Sequence, residues 1–95
     1  MRKITQLAVN AFMRREPFKQ SNTEVAVYPS DTRMYLHGHL IAMIDLMGNI
    51  KVTNAGYFTN TTKERLNGIP TVTVNQKNFE WFLNGVKWDG SMTKV

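Results

Sequence analysis

His37 and His39 are the chain's two imidazoles, with a single glycine between them. In an extended strand that spacing places both rings on one face, where they could offer two nitrogens to a metal. A zinc site needs three or four ligands. With no cysteine, only scattered carboxylates such as Asp31 and Asp45 could complete one. The expectation is therefore two histidines around a hairpin glycine, with no metal and no cofactor. The same strand face takes in Arg33 and Tyr35, with Tyr28 across the preceding turn. Basic and aromatic side chains interleaved on a sheet can stack bases and hold phosphates, so this face is a candidate nucleic-acid contact. The plainer alternative is a polar side of the sheet, or a face covered by the N-terminal helix. Catalysis has less to draw on. There is no Ser-His-Asp order with a nucleophile elbow and no phosphate-binding glycine loop, and the acids are dispersed. An enzyme is not expected, since a chain this small also leaves little room for a water-excluded pocket.

The densest group of polar side chains is the run Gly56-Tyr57-Phe58-Thr59-Asn60-Thr61-Thr62-Lys63-Glu64-Arg65-Leu66-Asn67-Gly68. Its pattern predicts a turn followed by a short helix. Asn60 or Thr61 can serve as N-cap, and Thr61-Thr62-Lys63-Glu64 fits a capping box in which Glu64 reaches back to the N-cap amide. Asn67-Gly68 ends the helix and Pro70 blocks its continuation. Lys63 and Arg65, with Tyr57 ahead of them, are candidate partner contacts. The stretch from Thr62 to Gly68 resembles the recognition helix of the lactose-repressor family, which enters the major groove as the second helix of a helix-turn-helix. The preceding Ile50-Lys51-Val52-Thr53 reads as a strand, however, where that motif requires a helix. A connector helix is the expectation, with Leu66 in the core and Lys63 and Arg65 in solvent.

The elements that must position these groups follow from periodicity. Ile4, Leu7, Ala8, Ala11 and Phe12 repeat at amphipathic helix spacing, and Pro17 stops that helix near Arg15. Val9 and Met13 form a small apolar spot on the other side, and Arg14 and Arg15 at the helix end are further candidate contacts. The period then switches to two through Val25, Val27, Met34, Leu36, the apolar run from 39 to 46, Ile50 and Val52, with turns at Pro29-Ser30-Asp31 and Gly48-Asn49. After the short helix, Val72 and Val74 lead into a turn at Asn75-Gln76-Lys77-Asn78, then Phe79, Trp81 and Leu83 on one face. Asn84-Gly85 is a type I′ turn signal ahead of Val86 and Trp88. Phe79, Trp81, Phe82 and Trp88 read as core, and aromatics on both faces of that strand suggest a strand covered on two sides or a protein-binding edge. The fold class is α+β: an N-terminal amphipathic helix, an antiparallel sheet of about five to seven strands, and one short connector helix near 60–68. All 95 residues form one domain.

Composition narrows the setting. The net charge is +5, from twelve Lys/Arg against seven Asp/Glu, and residues 1–20 carry five bases and one acid. A basic end suggests an anionic partner, or simply a well-solvated surface. The absence of cysteine fits a reducing compartment. The longest apolar run, Leu40 to Ile44, is far too short to span a bilayer, and the start lacks the apolar core of a signal peptide. A soluble, intracellular protein without a membrane partner is expected.

Four segments taken together carry a family resemblance: Ser21-Asn22-Thr23-Glu24-Val25, Leu36-His37-Gly38-His39-Leu40-Ile41-Ala42, Gly56 to Gly68, and Phe82-Leu83-Asn84-Gly85-Val86-Lys87-Trp88-Asp89-Gly90. They resemble a group of small proteins encoded by tailed bacteriophages, whose members commonly show Trp in place of Tyr57 and Asn in place of His39. The resemblance implies a non-structural phage protein in the host cytoplasm, and it carries over no activity and no functional residue. The resulting expectation is a non-enzymatic accessory protein that binds and modulates a host protein. The alternative is a small basic nucleic-acid-binding module. Lys63, Arg65, Tyr57, Arg33, Tyr35, His37, Arg14 and Arg15 are the candidate contacts, and a homodimer is left open.

Overall fold

The computed structural model describes residues 2–95. Helix α1 (Lys3–Arg14) leads into five antiparallel strands: β1 (Phe18–Gln20), β2 (Thr23–Val27), β3 (Asp31–Leu36), β4 (His39–Asp45) and β5 (Ile50–Val52). Helix α2 (Asn60–Asn67) follows, then β6 (Val74–Lys77), β7 (Glu80–Leu83), β8 (Val86–Lys87) and β9 (Thr93–Lys94). The fold is α+β, as the sequence pattern predicts. The main sheet has six strands in the order β1-β2-β3-β4-β5-β9, and β6-β7-β8 make a separate three-stranded sheet. α1 packs across β1, β2 and β3, while α2 touches α1, β4 and β6 and so joins the two sheets.

The main sheet owes its register to strict alternation. Thr32, Met34 and Leu36 of β3 point inward, and Asp31, Arg33 and Tyr35 point out. A bulge opposite Met34 and Tyr35 breaks this once, so that Ile41 and Ala42 of β4 are both buried. α1 differs from its predicted orientation. Its buried residues are Thr5, Ala8, Val9, Ala11 and Phe12, while Leu7 is exposed. Val9 turns inward because α1 packs against the end of α2. A side chain on Gly68 would stand 2.8 Å from Val9 Cγ2 and 2.9 Å from Thr5 Cγ2. Gly68 is thus required for close helix approach. It does not serve as a left-handed cap, for its φ is −71°.

Two other expectations for α2 are corrected. The N-cap is Thr59, whose Oγ1 accepts the Thr62 N–H at 3.2 Å. Glu64 does not reach back to the cap, because its carboxylate is engaged elsewhere. Arg65 is not in solvent. It is 1% exposed, among the most completely buried side chains of the fold. Its Nε donates to Thr23 Oγ1 at 3.0 Å, and its Nη1 donates to Glu64 Oε1 at 2.9 Å and to Thr5 Oγ1. The threonine hydroxyls pass these bonds on. Thr5 donates to Glu64 Oε1 at 2.6 Å, and Thr23 donates to Asn22 Oδ1 at 2.8 Å. Arg2 closes the carboxylate from outside at 2.9 and 3.2 Å. One guanidinium therefore ties α2 to α1 and β2. Asn67 does the same for the small sheet, its amide donating to the Val74 carbonyl at 2.8 Å and accepting the Val74 N–H at 2.6 Å.

Truncating Arg65 removes the bonds that tie α2 to α1 and β2 and leaves a void where a fully buried side chain stood, so Arg65→Ala should destabilise the fold by about 2–4 kcal/mol, read from urea unfolding. Acid should act through the same network. The Thr5 hydroxyl and then Arg2 hold the Glu64 carboxyl below its ordinary pKa. The folded state therefore binds fewer protons, and this stabilisation is complete above the ordinary glutamate pKa and is lost as pH falls below it. The urea midpoint should decline in that window, and the decline should be shallower in Glu64→Gln.

Candidate functional site

The predicted contacts separate into distinct places. Arg33 and Tyr35 do share the outer face of the main sheet with Tyr28, and α1 lies on the opposite face. Arg33 is not a free cation there: its Nε and Nη2 meet the two Asp31 oxygens at 2.9 and 3.3 Å. Those bonds raise its pKa further. The guanidinium also stacks 4.8 Å from the Tyr28 ring centre, and the Tyr28 and Tyr35 hydroxyls lie 3.4 Å apart. That contact raises the Tyr28 pKa. His37 is missing from this face. It forms the β3–β4 turn with Gly38, both at positive φ (52° and 81°), and so leaves the strand plane. His39 lies opposite Leu36 in register and stacks with Tyr57 at 4.8 Å. His37, His39 and Tyr57 thus meet at one cavity of about 320 Å³ beside the start of α2.

The remaining basic residues are elsewhere. Arg14 is exposed at the end of α1. Arg15 adopts the left-handed conformation (φ 56°) and donates to the Met13 carbonyl at 2.9 Å and to the Asp45 carbonyl at 3.2 Å, pinning the helix end to the β4–β5 turn. Lys63 donates to Gln76 Oε1 at 3.0 Å and lies 5.4 Å over the Trp81 ring, which fastens α2 to the small sheet.

That small sheet presents the most exposed aromatic of the protein. β6 continues through Lys77, so the hairpin turn is Asn78-Phe79 and not 75–78 as the pattern predicts. Both turn residues have positive φ, 52° and 66°. A two-residue type I′ turn normally takes Gly at its second position. Phe79 occupies it here, so its side chain leaves the predicted core face and stands 96% exposed. Phe58, also exposed, sits edge-on to the buried Trp81 at 5.0 Å. Between α2 and the hairpin runs an open groove of about 780 Å³, lined by the amides of Asn60, Asn67, Asn75 and Gln76, by Lys63 and Glu64, and by Phe79. The arrangement offers an exposed aromatic beside amide groups, one ammonium and one carboxylate.

Residues 1–94 match the family described as Kyanoviridae Gp96 protein. The chain belongs to this phage family. No curated protein and no solved structure matches it. Membership of the Kyanoviridae Gp96 family establishes the phage origin that the four segments suggest, and it assigns no activity. Among the described residues of this family member, no helix is long and apolar enough to cross a membrane.

Two residues outside the candidate contacts stand out in this Gp96 fold. Phe79 has a core pattern in sequence but lies at the tip, because the turn is 78–79 and not 75–78. Asn54 carried a weak signal, the Asn-Ala-Gly order of an Asx-type turn. It is 1% exposed, and its Oδ1 accepts the Gly56 N–H at 2.8 Å. Gly90 pins it, accepting the Asn54 N–H at 3.0 Å and the Thr53 hydroxyl at 2.6 Å. A side chain on Gly90, which has φ +90°, would stand 2.2 Å from Asn54 Oδ1. Gly90→Ala should therefore cost about 2 kcal/mol or more. Its amide NMR shifts should move most at Asn54, Gly56 and Tyr57.

Proposed function

We propose that this chain is a non-enzymatic phage accessory protein that acts in the host cytoplasm by binding and modulating a host protein, with Phe79 as its anchor. One observation carries the reading: a bulky aromatic stands almost wholly in water at a left-handed turn position. A non-glycine residue costs about 1–2 kcal/mol in that conformation, and leaving a Phe exposed forgoes about 1.5–3 kcal/mol of burial. Strain and exposure in one residue point to a role outside the fold. Interface hot spots are aromatic anchors set among polar contacts that exclude water, and the groove supplies such contacts beside Phe79. Lys63 lines the same groove as Phe79 and, like Phe58, packs on Trp81.

A second reading, a small basic nucleic-acid-binding module, draws on the net charge of +5 and on the open Tyr28/Tyr35 face. It has less support, because Arg33 is paired with Asp31 and His37 leaves the face.

Phe79→Gly separates the two. It relieves the turn, so stability should rise by about 0.5–1 kcal/mol. Capture of a specific host protein by the tagged chain from nuclease-treated lysate should be lost. Retained capture in the variant would sink the anchor. A chain that retains only nucleic acid, with affinity falling steeply up to about 300 mM salt, would favour the second reading.

A further inference from the structure

The cavity beside the start of α2 is built differently from the open grooves. Two turns frame it. His37-Gly38 forms one side, and Ala55-Gly56 the other, with φ of 56° and 86° and the Tyr57 N–H donating to the Asn54 carbonyl at 2.9 Å. Leu36 and Ile41, both buried, give it an apolar floor. His39 and Tyr57 supply an aromatic wall, their rings 4.8 Å apart. Asn54 lines the cavity as well. Its Oδ1 is taken by Gly56, but its buried Nδ2 finds no hydrogen-bond partner among the described residues. A buried donor left unpaired costs about 1–3 kcal/mol, and native folds carry few of them. The Thr59 and Thr62 hydroxyls at the helix start bond each other at 3.0 Å, and Asn54 Nδ2 is the buried side-chain donor of the lining that has no partner among the described residues.

We infer that this cavity binds a single nucleobase. The case follows from what the lining can and cannot recognise. No Lys, Arg, Asp or Glu lines it, and its ionisable side chains are His37, His39 and Tyr57, so the lining offers no permanent charge to pair with a charged ligand group. A volume of about 320 Å³ is at the small end for ligand pockets and suits one or two fused rings. An aromatic wall over an apolar floor favours a flat ring, and bases stack on Tyr and His in this way. The unpaired Asn54 donor calls for an acceptor on the ring edge, which a base carbonyl or ring nitrogen provides and a hydrocarbon side chain does not. Any phosphate stays outside, where the basic surface of a chain with net charge +5 favours it. The base arrives either on a free nucleotide or as an unpaired residue of a single strand. The site is separate from the Phe79 anchor.

The test is a two-dimensional amide NMR titration of the full chain with adenosine, with uridine and with an eight-nucleotide single strand. N-acetyltyrosinamide and inorganic phosphate serve as controls. The inference expects shifts centred on the Asn54 side-chain amide, Tyr57, His39 and Thr62, saturating by about 10 mM nucleoside. Saturation by a nucleoside assigns a free ligand. Shifts at the same resonances with the strand alone assign an unpaired base. Tyr57→Ala, at a half-exposed position, should weaken binding by about tenfold. Asn54→Asp keeps the acceptor for Gly56 and replaces the free donor, so binding should fall further, and should that variant fail to fold, Tyr57→Ala decides. Phe79→Gly should bind as the parent does. The idea is overturned by an absence of shifts at these positions, by equal shifts with N-acetyltyrosinamide or phosphate, or by a folded Tyr57→Ala chain of unchanged affinity.

Discussion

A charged guanidinium cannot be buried without partners, and the rest of this structure is arranged around meeting that demand for Arg65. Arginine stays protonated in proteins, so burial lowers its pKa without discharging it. Its donors must find acceptors inside the fold. They do so on three different elements: Thr5 of α1, Glu64 of α2 and Thr23 of β2. An apolar contact tolerates a slide of an ångström, whereas a forked set of charge-assisted bonds does not. The pair α1 and α2 is thereby held in one orientation on the sheet. Gly68 permits the close approach, and the Asn67 amide hands the register on to β6 by holding both backbone groups of Val74. Leu66, between Arg65 and Asn67 in sequence, is fully buried. What looks like a polar recognition helix is the internal hub of the molecule.

Placing α2 fixes what lies on either side of it. Before it, the segment that follows β5 is tied to Gly90 near the C-terminus through Thr53 and Asn54, which sets Tyr57 against His39. After it, the small sheet is held through Asn67 and Lys63, which sets the direction of the Asn78-Phe79 tip. The tight turns then divide by chemistry. Asn84-Gly85 has the residues a type I′ turn prefers, and the Asn84 side chain bonds the backbone of Thr71 and Thr73, so local and global preferences agree. Ala55, Thr71 and Phe79 occupy left-handed positions that their side chains disfavour. Thr71 belongs to the turn that the Asn84 side chain holds through the Thr71 carbonyl, whereas Ala55 lies beside the cavity and Phe79 at the proposed anchor.

Much of the fold was legible because it rests on local pattern. Alternation gave the strands of the meander, Pro17 the end of α1, and Asn84-Gly85 its turn. The rest depended on contacts distant in sequence. Arg65 sits in a short polar helix, and nothing within several residues says that Thr5 and Thr23 will close over it, so a basic residue there reads as solvated. The buried face of α1 moved for the same reason. Ile4 and Leu7 complete a regular apolar stripe, but docking of α2 against Gly68 brings Thr5 and Val9 inward. Phe79 was lost to register. In a strand the side-chain period is two, and moving the turn to 78–79 takes an aromatic from the core to the tip. Of the candidate contacts, Tyr57 and His37 do come together, with His39, and Arg33 with Tyr35.

Composition needs the same correction. Twelve basic residues against seven acids read as an anion-binding surface. Several of those bases are occupied within the chain, however. Arg2 and Arg65 share Glu64, Arg33 is held by Asp31, and Lys87 lies 3.3 Å from Glu80. Arg15 and Lys63 bond a carbonyl and an amide. The long-range field of a +5 protein is unaffected by this and still favours encounter with anions. Short-range phosphate contacts are another matter, because each of these side chains would first have to give up a bond within the chain. The basic character of the chain is in good part architectural. The proposed anchor and the proposed base site rest on groups that the scaffold does not use: an aromatic at a strained tip, and an amide donor beside a cavity without Lys, Arg, Asp or Glu.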